Sequence, residues 1–94
     1  MATNKLPYPE YKALTLLVYL RDQWRCRFSK SRNNLHCHHI IYRSQGGKDS
    51  LANLVALCYS HHDMVHAHEF KIEGDANGKL TVTTSSNPNV RFTI

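Results

Sequence analysis

"HCHHIIYRSQGGKDSLANLVALCYSHHDMVHAH", residues His36 to His68, contains all seven histidines of a 94-residue chain. Confining one residue type to a third of the chain points to a shared task. His62 and His66 are four residues apart, so on a helix they stand on one face and can aim at one ion. Such pairs are common on ordinary helix surfaces, but this one is preceded by His38 and His39 and by a glycine loop able to fold the helix back against them. Adjacent side chains on a strand point to opposite faces. One ring of the His38–His39 pair can therefore hold a metal while its neighbour stays free to move a proton.

Working outward, "LHCHHIIY" (35–42) has the β-branched and aromatic content of a strand. "RSQGGKDS" (43–50) reads as a loop, since Gly46 and Gly47 supply backbone freedom and Asp49 and Ser50 favour turns. Leu54 to Cys58 reads as a second strand, and Ser60 to about Glu69 as a helix with Ser60 as its N-cap. On the N-terminal side, residues 1–8 read as a flexible tail. Pro9 then opens a helix reaching about Gln23, with Tyr11, Leu14, Leu17 and Val18 at core spacing and Arg21 and Arg25 as candidates to face a ligand. On the C-terminal side, "KIEGDANGKLTV" (71–82) carries a β-hairpin signal, and "RFTI" (91–94) suits a last strand. The expectation is a small α+β domain over 9–94: a strand–loop–strand–helix core at about 35–69, an N-terminal helix and a C-terminal β-hairpin.

A chain of this size has little core, and such domains usually gain from a metal, disulfides or a partner. Lys and Arg outnumber Asp and Glu by 12 to 7, a formal charge of +5, which favours polyanionic partners. The excess is concentrated between Arg21 and Lys48, where Asp22 is the one acid. Three cysteines, Cys26, Cys37 and Cys58, make an odd number without a signal peptide, which suits reduced thiols and metal ligation in a cytoplasmic protein. The longest apolar run, "ALTLLVYL", is too short to span a bilayer.

A cation beside a neutral imidazole suits hydrolysis of a phosphodiester: positive charge stabilises the phosphate oxygens, and a base near neutral pKa takes a proton from water. The stretch "HHIIYRSQGGKDSLANLVALCYSHHDMVH" resembles the HNH, or ββα-metal, endonucleases. The likeness runs through His-His-Ile, Gly-Gly-x-Asp, Asn-Leu, Leu-Cys-x-x-His-His and a final His, with "LRDQWRCRF" as the lead-in, about half the chain. It implies that His39 is the general base, His38 and His62 are metal ligands, and His66 is the additional helical ligand of metal-rich members. Asn53 then pins the loop and helps to position the base. The cofactor implied is one divalent cation, among magnesium, manganese, nickel and zinc. The imidazole set suits transition metals better than magnesium.

Many members of the family carry two Cys-x-x-Cys pairs around a structural zinc. Here Cys26 is followed by Ser29 where a cysteine is expected, and Cys58 by His61. Three outcomes are open: Cys26, Cys58 and His61 bind zinc with a fourth ligand from His36, Cys37 or water; the site is empty and packed; or the cysteines are buried thiols.

The resulting expectation is a metal-dependent endonuclease on DNA, with Arg25, Arg27, Lys30, Arg32, Arg43 and Lys48 contacting backbone phosphates. A single site cuts one strand, leaving nicking by a monomer or double-strand cleavage by a homodimer. Two rival readings are a non-catalytic, zinc-stabilised nucleic-acid-binding module and a nuclease acting on RNA. The compact format suits a phage or mobile element.

Overall fold

The computed structural model describes residues 5–94. Its elements run α1 (Tyr8–Arg21), β1 (Leu35–His39), β2 (Leu54–Cys58), α2 (Tyr59–His66), β3 (Phe70–Glu73), β4 (Thr81–Thr84) and β5 (Arg91–Thr93), with single 3-10 turns at Arg43–Gln45 and Leu51–Asn53. The fold is α+β, as expected. β1 and β2 pair antiparallel, His39 opposite Leu54 and Leu35 opposite Cys58. β3, β4 and β5 form a separate antiparallel meander in that order.

β2, sequence LVALC, is buried at every position, because both of its faces are covered. Val55 and Leu57 join Val65 of α2, Ile72 and Val82 of the C-terminal sheet and Leu80 just before β4 in one core cluster. Alternation leaves Leu54 and Ala56 for the side on which α1 packs. A strand enclosed in this way reads as a continuous apolar run rather than an alternating one.

α1 begins one residue earlier than expected, with Pro7 before it and Pro9 in its first turn. It ends where Gln23 and Trp24 take left-handed backbone angles (φ 60° and 54°). Its burial corrects the sequence reading. Val18 is its one fully covered residue, whereas Leu17 is 51% exposed and Leu16 and Leu20 are similarly open. Tyr11 and Leu14 are half-buried beside Val18, as the spacing predicts, so the correction concerns Leu17, which falls beyond the edge of the packed side. Of the expected tail, residues 1–4 lie outside the described residues. Leu6 is docked, its amide donating to Asp49 Oδ2 at 2.9 Å.

β1 stops at His39 instead of running to Tyr42: the Ile40 amide still donates to the carbonyl of Asn53, its partner in the β1–β2 register, but the Ile41 amide leaves the ladder for the Asn53 side chain. The loop then closes on itself at Gly47, whose amide donates to Tyr42 O at 2.9 Å. A Cβ at Gly47 would lie 1.7 Å from the Ile41 carbonyl oxygen, so this approach requires glycine. α2 starts at Tyr59, with Cys58 in the capping position and no side-chain cap. Ser60 therefore sits inside the first turn rather than at the N-cap.

The lead-in between α1 and β1 is organised by buried Asp22. Its carboxylate accepts from Arg21, from Arg27 Nη1 at 3.0 Å and from the Ala56 amide at 2.9 Å. These bonds tie the end of α1 to the middle of β2. Together with the closed loop, they set the strands and α2 in the register that assembles the histidines.

Candidate active site

β1 and α2 bring three imidazoles together. His38 lies on β1, 3% exposed; His62 and His66 lie one turn apart on α2. One ring nitrogen from each falls within 4.8 Å of the others. The Nε2 atoms of His62 and His66 are 3.0 Å apart, and the three rings stand nearly perpendicular to one another. Two nitrogens bound to one tetrahedral zinc are on the order of 3.3 Å apart, so His62 and His66 stand near the spacing of a shared ion, with the His38 donor within 4.8 Å of both. Burial, together with His62, His66 and His39 nearby, pushes the His38 imidazole down to about 3. Burial and the charges of His66 and His36 also lower His62, with Asp63 opposing. Ligand nitrogens must be unprotonated, and this environment favours that form at His38 and His62. The donor set therefore fits a divalent cation of the nitrogen-preferring class.

His39 stands apart from this cluster. Its Nε2 lies 2.8 Å from Asp49 Oδ1, and its ring is parallel to that of Tyr11 (2° between planes, centroids 6.3 Å apart). Asp49 is held in turn by two contacts from Arg43, each 3.0 Å, and by the Leu6 amide. Burial raises the Asp49 carboxyl, but the hydrogen bonds from Arg43, His39 and Leu6 outweigh it and leave the group at about 2. The same bond to Asp49 raises Arg43. Although successive residues of a strand face opposite ways, β1 ends at His39. His38, His39, Tyr42, Arg43, His62 and His66 all line one cavity of about 310 Å³.

Asn53 acts on the backbone. Its Oδ1 accepts from the Ile41 amide at 2.8 Å, and its Nδ2 donates to the carbonyls of Ile41 and Lys48 at 2.9 Å. All three bonds clamp the mouth of the loop that carries Arg43 and Asp49. The hydrogen bonds of the Asn53 side chain go to Ile41 and Lys48 rather than to the His39 ring, so Asn53 holds the loop that carries Asp49.

Comparison with known proteins agrees with this arrangement. The sequence profile described as HNH endonuclease matches residues 24–68, which span the lead-in, the hairpin, the loop and α2. The chain belongs to the HNH endonuclease family. It is also 33% identical over 72 residues, covering 76% of this chain and 93% of the relative, to a protein named Anaredoxin from Nostoc sp. (strain PCC 7120 / SAG 25.82 / UTEX 2576). No solved structure gives a significant match.

This HNH domain assembles a second cluster from Cys26, Cys58 and His61, whose ligand atoms also lie within 4.8 Å of one another. His61 Nδ1 is 3.2 Å from Cys58 Sγ and 3.9 Å from Cys26 Sγ. Burial pushes the Cys26 thiol up, but the surrounding amides and the Ser29 hydroxyl outweigh it, and the thiol ends below its usual range. Thiolate character of this kind fits zinc. Of the expected fourth ligands, His36 and Cys37 are engaged elsewhere. His36 stacks on His62, rings 5.0 Å apart and 6° from parallel, while Cys37, its neighbour on the opposite face of β1, faces Thr15 of α1. The group beside the cluster is Ser29, its Oγ 3.7 Å from Cys58 Sγ.

The basic run divides by role. Arg27 donates to Asp22, Ala76 O, Gly78 O and Ile94 O, a structural task that replaces the expected phosphate contact. Arg21 is likewise taken up by Asp22 and by the Leu51 and Leu54 carbonyls. Arg43 has two of its donor positions on Asp49. Arg25 and Lys30 line a cleft of about 640 Å³ together with Lys79, while Arg32 and Lys48 are exposed. Sequence reasoning missed Asp49, Tyr11 and Leu6 as parts of the His39 environment. Asp49 lay inside the quoted Gly-Gly-x-Asp pattern, but local spacing does not reveal its partner. Among the described residues no helix is long and apolar enough to cross a membrane.

Proposed function

We propose that this HNH family member is a metal-dependent endonuclease that hydrolyses DNA phosphodiester bonds. The observation that carries the reading is the shared cavity, in which a three-imidazole cluster and a separately held histidine face the same space. His38, His62 and His66 hold one divalent cation, which supplies positive charge to a phosphate as negative charge builds on its oxygens. His39 removes the proton from the attacking water. Asn53 holds the loop that keeps His39 and Asp49 in register. Arg25, Lys30, Arg32 and Lys48 contact backbone phosphates, a sequence-independent interaction that weakens with salt. Cys26, Cys58 and His61 hold a structural zinc that ties the lead-in to the start of α2.

Relaxation of supercoiled plasmid, with and without chelator, tests this reading for the wild type and His39→Ala, with a structured RNA run alongside. The expected result is chelator-sensitive cleavage of DNA that His39→Ala loses; open-circular against linear product reports nicking or double-strand cleavage. Cleavage indifferent to chelator contradicts the mechanism. Cleavage of RNA alone transfers the reading to an RNA nuclease. Nucleic-acid binding without cleavage, unchanged in His39→Ala, replaces it with a binding module.

A further inference from the structure

The partners of Asp49 determine where the proton on His39 resides. Arg43 and the Leu6 amide have only donors to offer, and they contact both carboxylate oxygens: Arg43 Nε on Oδ1, Arg43 Nη2 and Leu6 N on Oδ2. A carboxylate held by donors on both oxygens is ionised and accepts only. His39 Nε2, 2.8 Å from Oδ1, must therefore be the protonated nitrogen. In a neutral imidazole the other nitrogen is then an acceptor. We infer that Asp49 is a positioning residue that fixes His39 in the Nε2–H tautomer and leaves Nδ1 as the atom that takes the proton from water. The inference rests on His39 being the general base and names the atom through which it acts.

The surroundings make this a built arrangement. The Asp49 side chain has no exposed surface. Arg43, which holds it, lies over the Tyr11 ring at 4.9 Å, and that ring is parallel to His39. One oxygen is tied to the backbone just before α1, and the loop bearing Asp49 is clamped at its mouth by Asn53. Rotation of the imidazole would break the bond to Asp49, so orientation and tautomer are set together. A buried carboxylate orienting a catalytic imidazole is a recurrent solution in acid–base catalysis, and an amide in its place permits the wrong tautomer.

Asp49→Asn separates this role from bulk. The amide keeps the shape but has one accepting oxygen, so either orientation turns an NH₂ group against an existing donor. Long-range ¹H–¹⁵N spectra of the full-length, metal-loaded protein, with His39 assigned through its side-chain connectivities, report the tautomer directly. The wild type is expected to show a protonated Nε2 and a bare Nδ1, and Asp49→Asn a mixed or reversed pattern. In single-turnover cleavage of plasmid DNA, Asp49→Asn is expected to lower the rate by about 10²–10⁴-fold, with substrate affinity and metal affinity nearly unchanged. A wild-type spectrum with the proton on Nδ1 overturns the inference without any variant having to fold. An Asp49→Asn protein with unaltered tautomer and rate also overturns it. If the wild type cleaves no nucleic acid, the base assignment fails instead, and the spectrum still decides the tautomer.

Discussion

Asn53→Ala should be among the most damaging single substitutions outside the apolar core. The side chain sits at 8% exposure and makes three hydrogen bonds, all to backbone groups of Ile41 and Lys48. Alanine leaves one amide and two carbonyls to find new partners. At about 1 kcal/mol per bond, rising where the abandoned group stays dry, the loss is roughly 3–4 kcal/mol. A domain of this length has on the order of 5–14 kcal/mol in total, so the variant should fold marginally and report a large drop in urea midpoint. Asn53→Asp is a sharper version, because it replaces the donor to two carbonyls with a second acceptor and should cost at least as much. Equilibrium urea unfolding followed by Trp24 fluorescence measures both. Metal affinity of the folded fraction should change little, since His38, His62 and His66 lie on β1 and α2. DNA cleavage should fall with the loop that carries Asp49. An Asn53→Ala protein within 1 kcal/mol of the wild type refutes the clamp.

Three further outcomes follow from the same geometry. Asp49 is lowered from 3.8 to about 2, so its stabilisation is present above pH 4 and lost as pH falls through 2. The difference is roughly 2 kcal/mol, read as a steeper acid dependence of urea stability in wild type than in Asp49→Asn. Arg27→Ala should cost roughly 3 kcal/mol of stability, because it abandons buried Asp22 and three carbonyls, whereas Arg32→Ala and Lys48→Ala should leave stability alone and reduce the salt dependence of DNA affinity. Zinc retained after purification without added metal should survive His62→Ala but not Cys58→Ala, as measured by elemental analysis; loss in both variants or in neither contradicts two separate sites.

The histidine cluster was legible because two simple periodicities generate it. An i, i+4 pair needs only a helix, and a glycine loop between two apolar segments returns that helix to the first strand. The second cluster was legible in part: Cys26, Cys58, His61 and the serine at position 29 could be named, but whether His36 or Cys37 reaches it depended on where β1 turns those side chains. The packed face of α1 was legible at Tyr11, Leu14 and Val18, which are half-buried or buried, but not at its edge, where Leu17 is open to solvent like Leu16 and Leu20. Arg27 was misassigned because its acceptors at Ala76 and Ile94 are 49 and 67 residues away, a closure that no local pattern encodes. The His39–Asp49 contact failed for a related reason, since it exists only after Gly47 and Asn53 have closed the loop.

The most direct measurement pairs metal stoichiometry with single-turnover DNA cleavage in His39→Ala and His62→Ala. The account predicts that His39→Ala binds the active-site cation as the wild type does yet fails to cut, while His62→Ala loses both. Wild-type cleavage by His39→Ala, or undiminished metal binding by His62→Ala, contradicts it.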